Sequence, residues 1–95
     1  MRDYELTIIL DPEIADENVD EALARAHNPI TTRGGEIVET DHWGRKRLAY
    51  PINRKLEGNY FLSKVRMEPT TERELERALN ISEEVLRHMV ILAGN

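Results

Sequence analysis

From Tyr4 onward, apolar side chains recur at every second position, Leu6, Ile8 and Leu10, with Glu5 and Thr7 among the intervening residues. Period-two alternation marks a strand with one buried face, and it predicts strand over residues 2–10. Asp11-Pro12 ends the run, because proline lacks a ladder donor and suits a turn. The period then changes: Val19, Ala22, Leu23, Ala26 and Ile30 recur at helical spacing. Asp16 is the expected N-cap of that helix, and Asp16, Glu17, Asp20 and Glu21 gather where its dipole favours anions. Gly34-Gly35 closes it. Asn28-Pro29 interrupts the pattern, so a bend is expected there, or a helix that stops at His27 before a separate turn.

Residues 36–52 read as a long second strand, with Gly44 marking a bend or bulge and Pro51 requiring an edge position. Arg54-Lys55-Leu56-Glu57-Gly58-Asn59 has the composition of a hairpin loop. A third strand follows from Tyr60 to Met67. Phe61, Val65 and Met67 share one of its faces, and Tyr60, Leu62, Lys64 and Arg66 share the other. Pro69 opens a second helix with a Thr71/Glu74 capping box and a buried stripe of Leu75, Ala78 and Leu79. Asn80 to Glu84 contains a turn, and Val85 to Leu92 is the last strand. The order β-α-β-β-α-β, with right-handed crossovers, predicts an α+β ferredoxin-like fold. In that plan two helices cover one face of a four-stranded antiparallel sheet of strand order 4-1-3-2. Strand two then lies at an edge, as Pro51 demands.

Such a sheet leaves one face without helices. Glu5, Thr7 and Ile9 from strand one and Tyr60, Leu62, Lys64 and Arg66 from strand three are expected there. A face mixing aromatic, aliphatic and cationic groups suits a partner, and Ile9, Tyr60 and Leu62 are its candidate protein-contact residues.

Charge sharpens this picture. The chain has a formal net charge of -5, which taken alone argues against a nucleic-acid partner. Its distribution argues the other way. Residues 1–40 carry three Arg against ten Asp and Glu, whereas residues 41–66 carry seven Lys and Arg against Asp41 and Glu57. Residues 67–95 return to three Arg against six Glu. A basic block inside an acidic chain is a candidate phosphate footprint, because cations that neutralise phosphates release condensed counterions. Its densest part, Arg45-Lys46-Arg47, precedes the alternating run Leu48, Tyr50 and Ile52, read here as core and register residues. The cations are therefore expected on a structured ribbon.

Ninety-five residues suffice for a single domain, expected to span 1–95, with little room for a deep catalytic cavity. The absence of Cys removes disulfides, thiolate catalysis and Cys-type zinc sites. Met1-Arg2-Asp3-Tyr4-Glu5 does not read as a signal peptide and no run approaches a membrane span, so a cytoplasmic protein with no membrane association is expected. His27, His42 and His88 fall in no metal-ligand or catalytic spacing, and each is read as an ordinary surface or edge residue. No catalytic residue, metal site, cofactor or small-molecule substrate is expected. A small-molecule sensor domain shares the fold and is not distinguished by fold alone. A base-stacking RNA-recognition module is disfavoured, since Thr7 and Ile9 stand where strand one would need an aromatic.

The segment Gly44-Arg45-Lys46-Arg47-Leu48-Ala49-Tyr50-Pro51-Ile52-Asn53 resembles the signature of the bacterial small-subunit ribosomal protein S-six family. Supporting matches lie at Met1-Arg2-Asp3-Tyr4-Glu5, Gly34-Gly35-Glu36-Ile37-Val38, Gly58-Asn59-Tyr60-Phe61 and Glu84-Val85-Leu86-Arg87-His88-Met89-Val90, so the resemblance covers about residues 1–93. It implies a ferredoxin-like fold, a structural rather than catalytic role, and a place on the ribosome. It also implies binding to the central domain of small-subunit ribosomal RNA together with ribosomal protein S-eighteen. The candidate RNA contacts are then Arg45, Lys46 and Arg47, joined by Lys64 and Arg66. Arg2 and Arg87 are added because adjacent strands are expected to bring them together. The chain departs from the family at Asn28-Pro29, and it ends at Asn95 without the extended acidic tail some relatives carry.

Overall fold

The computed structural model describes residues 1–93; Gly94-Asn95, on which the expectation about a tail falls, lie outside the described residues. The elements are β1 (Arg2–Leu10), α1 (Val19–Thr31), β2 (Glu36–Ile52), β3 (Lys55–Met67), α2 (Pro69–Ile81) and β4 (Val85–Leu92). All strand pairs are antiparallel, and the sheet order is β2-β3-β1-β4. The ferredoxin-like order expected from the alternation is therefore the one formed.

The helix-covered face is built from the even positions of β1 and the odd positions of β3. Tyr4, Leu6, Ile8 and Leu10 pack with Phe61, Val65 and Met67 against Ala22, Ala26 and Ile30 of α1 and Leu75 and Leu79 of α2. Each large side chain taken from water here contributes about 1.5–3 kcal/mol, so this layer holds most of the folding free energy. Ser63, on the same face of β3, is fully buried and meets His27 of α1, whose Nε2 lies 3.0 Å from its Oγ. His27 is 8% exposed and is not the surface residue expected from sequence. A small hydroxyl opposite the ring leaves room for it and supplies its hydrogen bond.

Several local expectations are corrected. Asp16 does not cap α1: it opens a short 3₁₀ turn, Asp16–Asn18, and no side-chain cap bond forms. Thr71 is no cap either, because α2 already starts at Pro69, and Thr71 is buried within its first turn. Pro29 neither ends α1 nor separates a turn at His27, since the helix runs through to Thr31. The carbonyl of Asn28 accepts from the Thr32 N–H at 3.0 Å and from the Thr32 and Thr31 hydroxyls at 2.8 and 3.3 Å. Those donors fasten the last turn beyond the proline, which costs the helix one interior bond.

The hairpin loop expected at 54–59 is also replaced. The turn is two residues long, Asn53 (φ +49°) and Arg54 (φ +67°), and β3 begins at Lys55. Positive φ at both central positions matches the twist of the flanking strands, as in type I′ hairpins. Gly58 lies within the strand because a Cβ there would overlap Cγ2 of Ile9, which crosses it.

Candidate nucleic-acid interface

The β2–β3 hairpin is longer than the sheet that carries it. β1 pairs with β3 only as far as Leu10 opposite Asn59, so residues 46–58 extend past the end of β1. The extension curls over the open face. Tyr50, near its tip, accepts a hydrogen bond from Arg87 of β4, and the guanidinium lies 5.3 Å from the centroid of the Tyr50 ring. β2 and β4 occupy opposite edges of the sheet, so this contact spans it.

Beneath the curl, Ile9, Leu48, Tyr50, Ile52, Tyr60 and Met89 help to line an apolar cleft of about 240 Å³. That is smaller than common small-molecule sites, roughly 300–1,000 Å³. Two expectations change here. Ile9 is only 6% exposed, covered by this hairpin, and forms cleft floor rather than open partner surface. Tyr50 is 53% exposed, because its alternating run lies over the open face instead of against the helices. Tyr60 and Leu62 remain half-buried on that face.

The basic triplet follows strand alternation. Lys46 stands opposite Gly58 on the side of the open face, its Nζ 5.9 Å from the centroid of the Trp43 ring. Arg45 stands opposite Asn59 on the helix side, where its guanidinium is 3.8 Å from a carboxylate oxygen of exposed Asp16. Arg47 is exposed and forms no ion pair among the described residues. An exposed pair at that distance contributes little, so all three cations stay available to an external anion. The turn end of the ribbon is fixed by Lys55, which pairs with Glu13 and, at 3.6 Å, with Asp11. On the strand before it, His42 stacks on Phe61 with centroids 4.3 Å apart, and its Nε2 lies 2.6 Å from Asn59 Oδ1.

The remaining candidate cations are dispersed. Arg66 donates to Asp3 at 2.9 Å, an interaction that raises the guanidinium pKa above its ordinary value. Lys64 lies 3.9 Å from Glu39. Arg2 and Arg87 are not brought together: Arg2 begins β1, whereas Arg87 stands opposite Ile9 at its other end. Seven residues of strand separate those positions, about 23 Å at 3.3 Å per residue. Trp43 and the turn residue Arg54 are exposed on the hairpin beside the triplet's strands and are not among the residues that the sequence singles out. Trp43 had a signal in its neighbour, since glycine in a strand often accompanies a bulge that re-aims a side chain. Among the described residues no group of three His, Asp or Glu is placed to hold a metal ion, and no helix is long and apolar enough to cross a membrane.

Comparison with known proteins agrees with this architecture along nearly the whole chain. The family described as Ribosomal protein S6 matches residues 3–92. Small ribosomal subunit protein bS6 of Paenarthrobacter aurescens is 44% identical over 91 residues, covering 96% of this chain and 90% of that protein. Its counterpart in Desulforamulus reducens is 37% identical over 94 residues, 99% of each. Among solved structures, 30S ribosomal protein S6 from Thermotoga maritima superimposes with a TM-score of 0.88 at 26% identity, covering 97% of this chain and 87% of that one. The signature decapeptide, the strand order and these full-length matches agree, and the chain belongs to the ribosomal protein S6 family.

Proposed function

We propose that this protein binds the central domain of small-subunit ribosomal RNA together with ribosomal protein S-eighteen, with Arg45, Lys46 and Arg47 meeting the RNA backbone. Membership of the S6 family makes it a non-enzymatic structural protein of the small ribosomal subunit. The observation that carries the finer reading is the segregation of charge. A basic ribbon extends past the end of β1, while the helix layer is net acidic, with Asp20 and Glu21 against Arg25 in α1 and Glu72, Glu74 and Glu76 against Arg73 and Arg77 in α2. Such a molecule approaches a polyanion hairpin first, since the helix layer repels it.

Phosphate contacts set orientation without reading sequence, and a ribbon pinned at Lys55 and Tyr50 holds its cations in fixed relative positions. Lys64 and Arg66 are exposed beside Glu39 and Asp3, which offset part of their charge toward an external anion. Arg87 acts first on Tyr50, and Arg2 stands apart at the other end of β1. Tyr60 and Leu62 offer S-eighteen the apolar part of the open face.

The test is the triple substitution Arg45→Ala, Lys46→Ala, Arg47→Ala, assayed for binding to a central-domain RNA fragment with S-eighteen present. Each phosphate contact contributes roughly 0.9 to the slope of log affinity against log salt on duplex, so the slope should fall by about 2–3. Unchanged affinity and slope, with the fold intact, remove the triplet from the interface.

A further inference from the structure

The β2 ladder loses register between His42 and Gly44: His42 stands opposite Phe61, Gly44 opposite Tyr60, and Trp43 has no partner. Gly44 takes φ +85°, a conformation that side-chain-bearing residues rarely adopt, and the extra residue is thereby turned out of the strand. Its neighbours are both engaged, His42 with Phe61 and Asn59, Gly44 in the ladder. Trp43, the chain's single tryptophan, is 51% exposed, and its one aromatic or cationic contact among the described residues is Lys46 above its ring. Core packing does not account for an indole held in that position. A glycine-dependent bulge is maintained, and it places a large π surface at the rim of a basic ribbon.

We propose that Trp43 is a stacking platform for an unpaired RNA base, with Lys46 and Arg45 holding the phosphates that flank it. The inference rests on the RNA-binding reading above and extends it from backbone contact to a base. The ligand chemistry follows from the two kinds of group brought together. An indole face takes a planar aromatic ring, the adjacent cations take anions, and a nucleotide carries both. Asp41, the nearest carboxylate along the strand, stands opposite Leu62 on the far side of the bulge from Arg45 and Lys46. A base on the free indole face leaves Lys46 in place over the other, and the cation then pairs with phosphate in the same complex.

The single tryptophan makes the test direct. Its fluorescence is followed while the protein, alone and then with S-eighteen, is titrated with the central-domain RNA fragment. RNA affinity is measured in parallel for the wild type, Trp43→Leu and Trp43→Phe. The expected result is quenching on RNA addition and a loss of about ten- to a hundredfold in affinity for Trp43→Leu, comparable to removing one stacked base. Trp43→Phe should stay within a few-fold of wild type, and the salt slope should not change in either variant, because no cation is lost. Equal RNA affinity of wild type and Trp43→Leu overturns the stacking role while leaving the phosphate reading intact. Quenching complete on adding S-eighteen, with none further from RNA, overturns it in favour of a protein contact. Wild-type protein that binds no RNA with or without S-eighteen removes the parent reading and the stacking role together.

Discussion

The helix-backed body and the overhanging hairpin are made by different physics, although the same strands run through both. In the body, β1 pairs residue for residue with β3 from Arg2 opposite Met67 to Leu10 opposite Asn59, and every inward position from Tyr4 to Leu10 and from Asn59 to Met67 is filled by a buried side chain. The β2–β3 ladder slips at the entry to the hairpin, between His42 and Gly44, and again inside it, between Arg47 and Ile52. The outer ladders of the body slip once each, between Ile37 and Glu39 and between Ile9 and Leu10. In the hairpin, position depends on a few separate contacts: Gly58 beneath Ile9, Lys55 on Asp11 and Glu13, and Tyr50 with Arg87. The body is stabilised by burial, which tolerates no free charge. The hairpin is held loosely enough to keep Arg45, Lys46, Arg47 and Trp43 in solvent. Stability and recognition are therefore separable by mutation.

The strongest way to break that contrast lies in the body. Leu6 is fully buried on the helix side, so Leu6→Ala should cost about 2–5 kcal/mol through lost transfer energy and an unfilled cavity. Denaturant titration should show a lower midpoint with the slope unchanged. A loss below about 1 kcal/mol would mean that the layer over β1 is not the principal core.

The two regions also differ in how far the sequence disclosed them. β1, β2 and β4 have the bounds expected from the sequence, and in β1 the periodicity is written by the core that buries it. Where another force sets the residue choice, periodicity misleads. Gly58-Asn59 reads as a turn, but the glycine answers the approach of Ile9 and the asparagine is buried near His42. Leu48, Tyr50 and Ile52 alternate as a core strand would, yet they cover the open face. Asp16 and Thr71 have capping chemistry without capping positions, since Ala15 precedes the 3₁₀ turn and Glu68 precedes α2. The basic triplet was visible as charge, whereas Trp43 required the bulge to be seen.

A middle-sized effect should separate the regions by pH. Burial lowers the pKa of His27 below the ordinary 6.5, so the unfolded chain takes up its proton first. Stability is then complete above about pH 6.5 and declines as pH falls through that value toward the lower folded pKa. Glu84, whose pKa is lowered chiefly by its hydrogen bond from Arg25, adds a loss that begins only near its ordinary value of 4.5. His27→Gln should therefore flatten the melting-temperature profile between about pH 5 and 6.5, leaving the later acid transition in place. A wild-type slope in that variant would assign the sensitivity to another group.

The smallest expected change in stability is also the most diagnostic of the hairpin. A buried Tyr50, as the alternating run implies, would make Tyr50→Ala cost about 3–5 kcal/mol. At its observed exposure the losses are a partly covered ring, an exposed hydrogen bond from Arg87 and one cation–π contact, the last roughly 0.5–1 kcal/mol at an exposed site. Thermal melting should fall by only a few degrees, while amide exchange in residues 46–58 should accelerate relative to the body, because the contact that ties the tip across the sheet is gone. Arg87→Ala should reproduce that local acceleration, since it removes the other half of the same contact. A several-kcal/mol loss in Tyr50→Ala, with exchange rising equally in β1 and the hairpin, would show that the curl is part of the cooperative core and that the two regions fold as one.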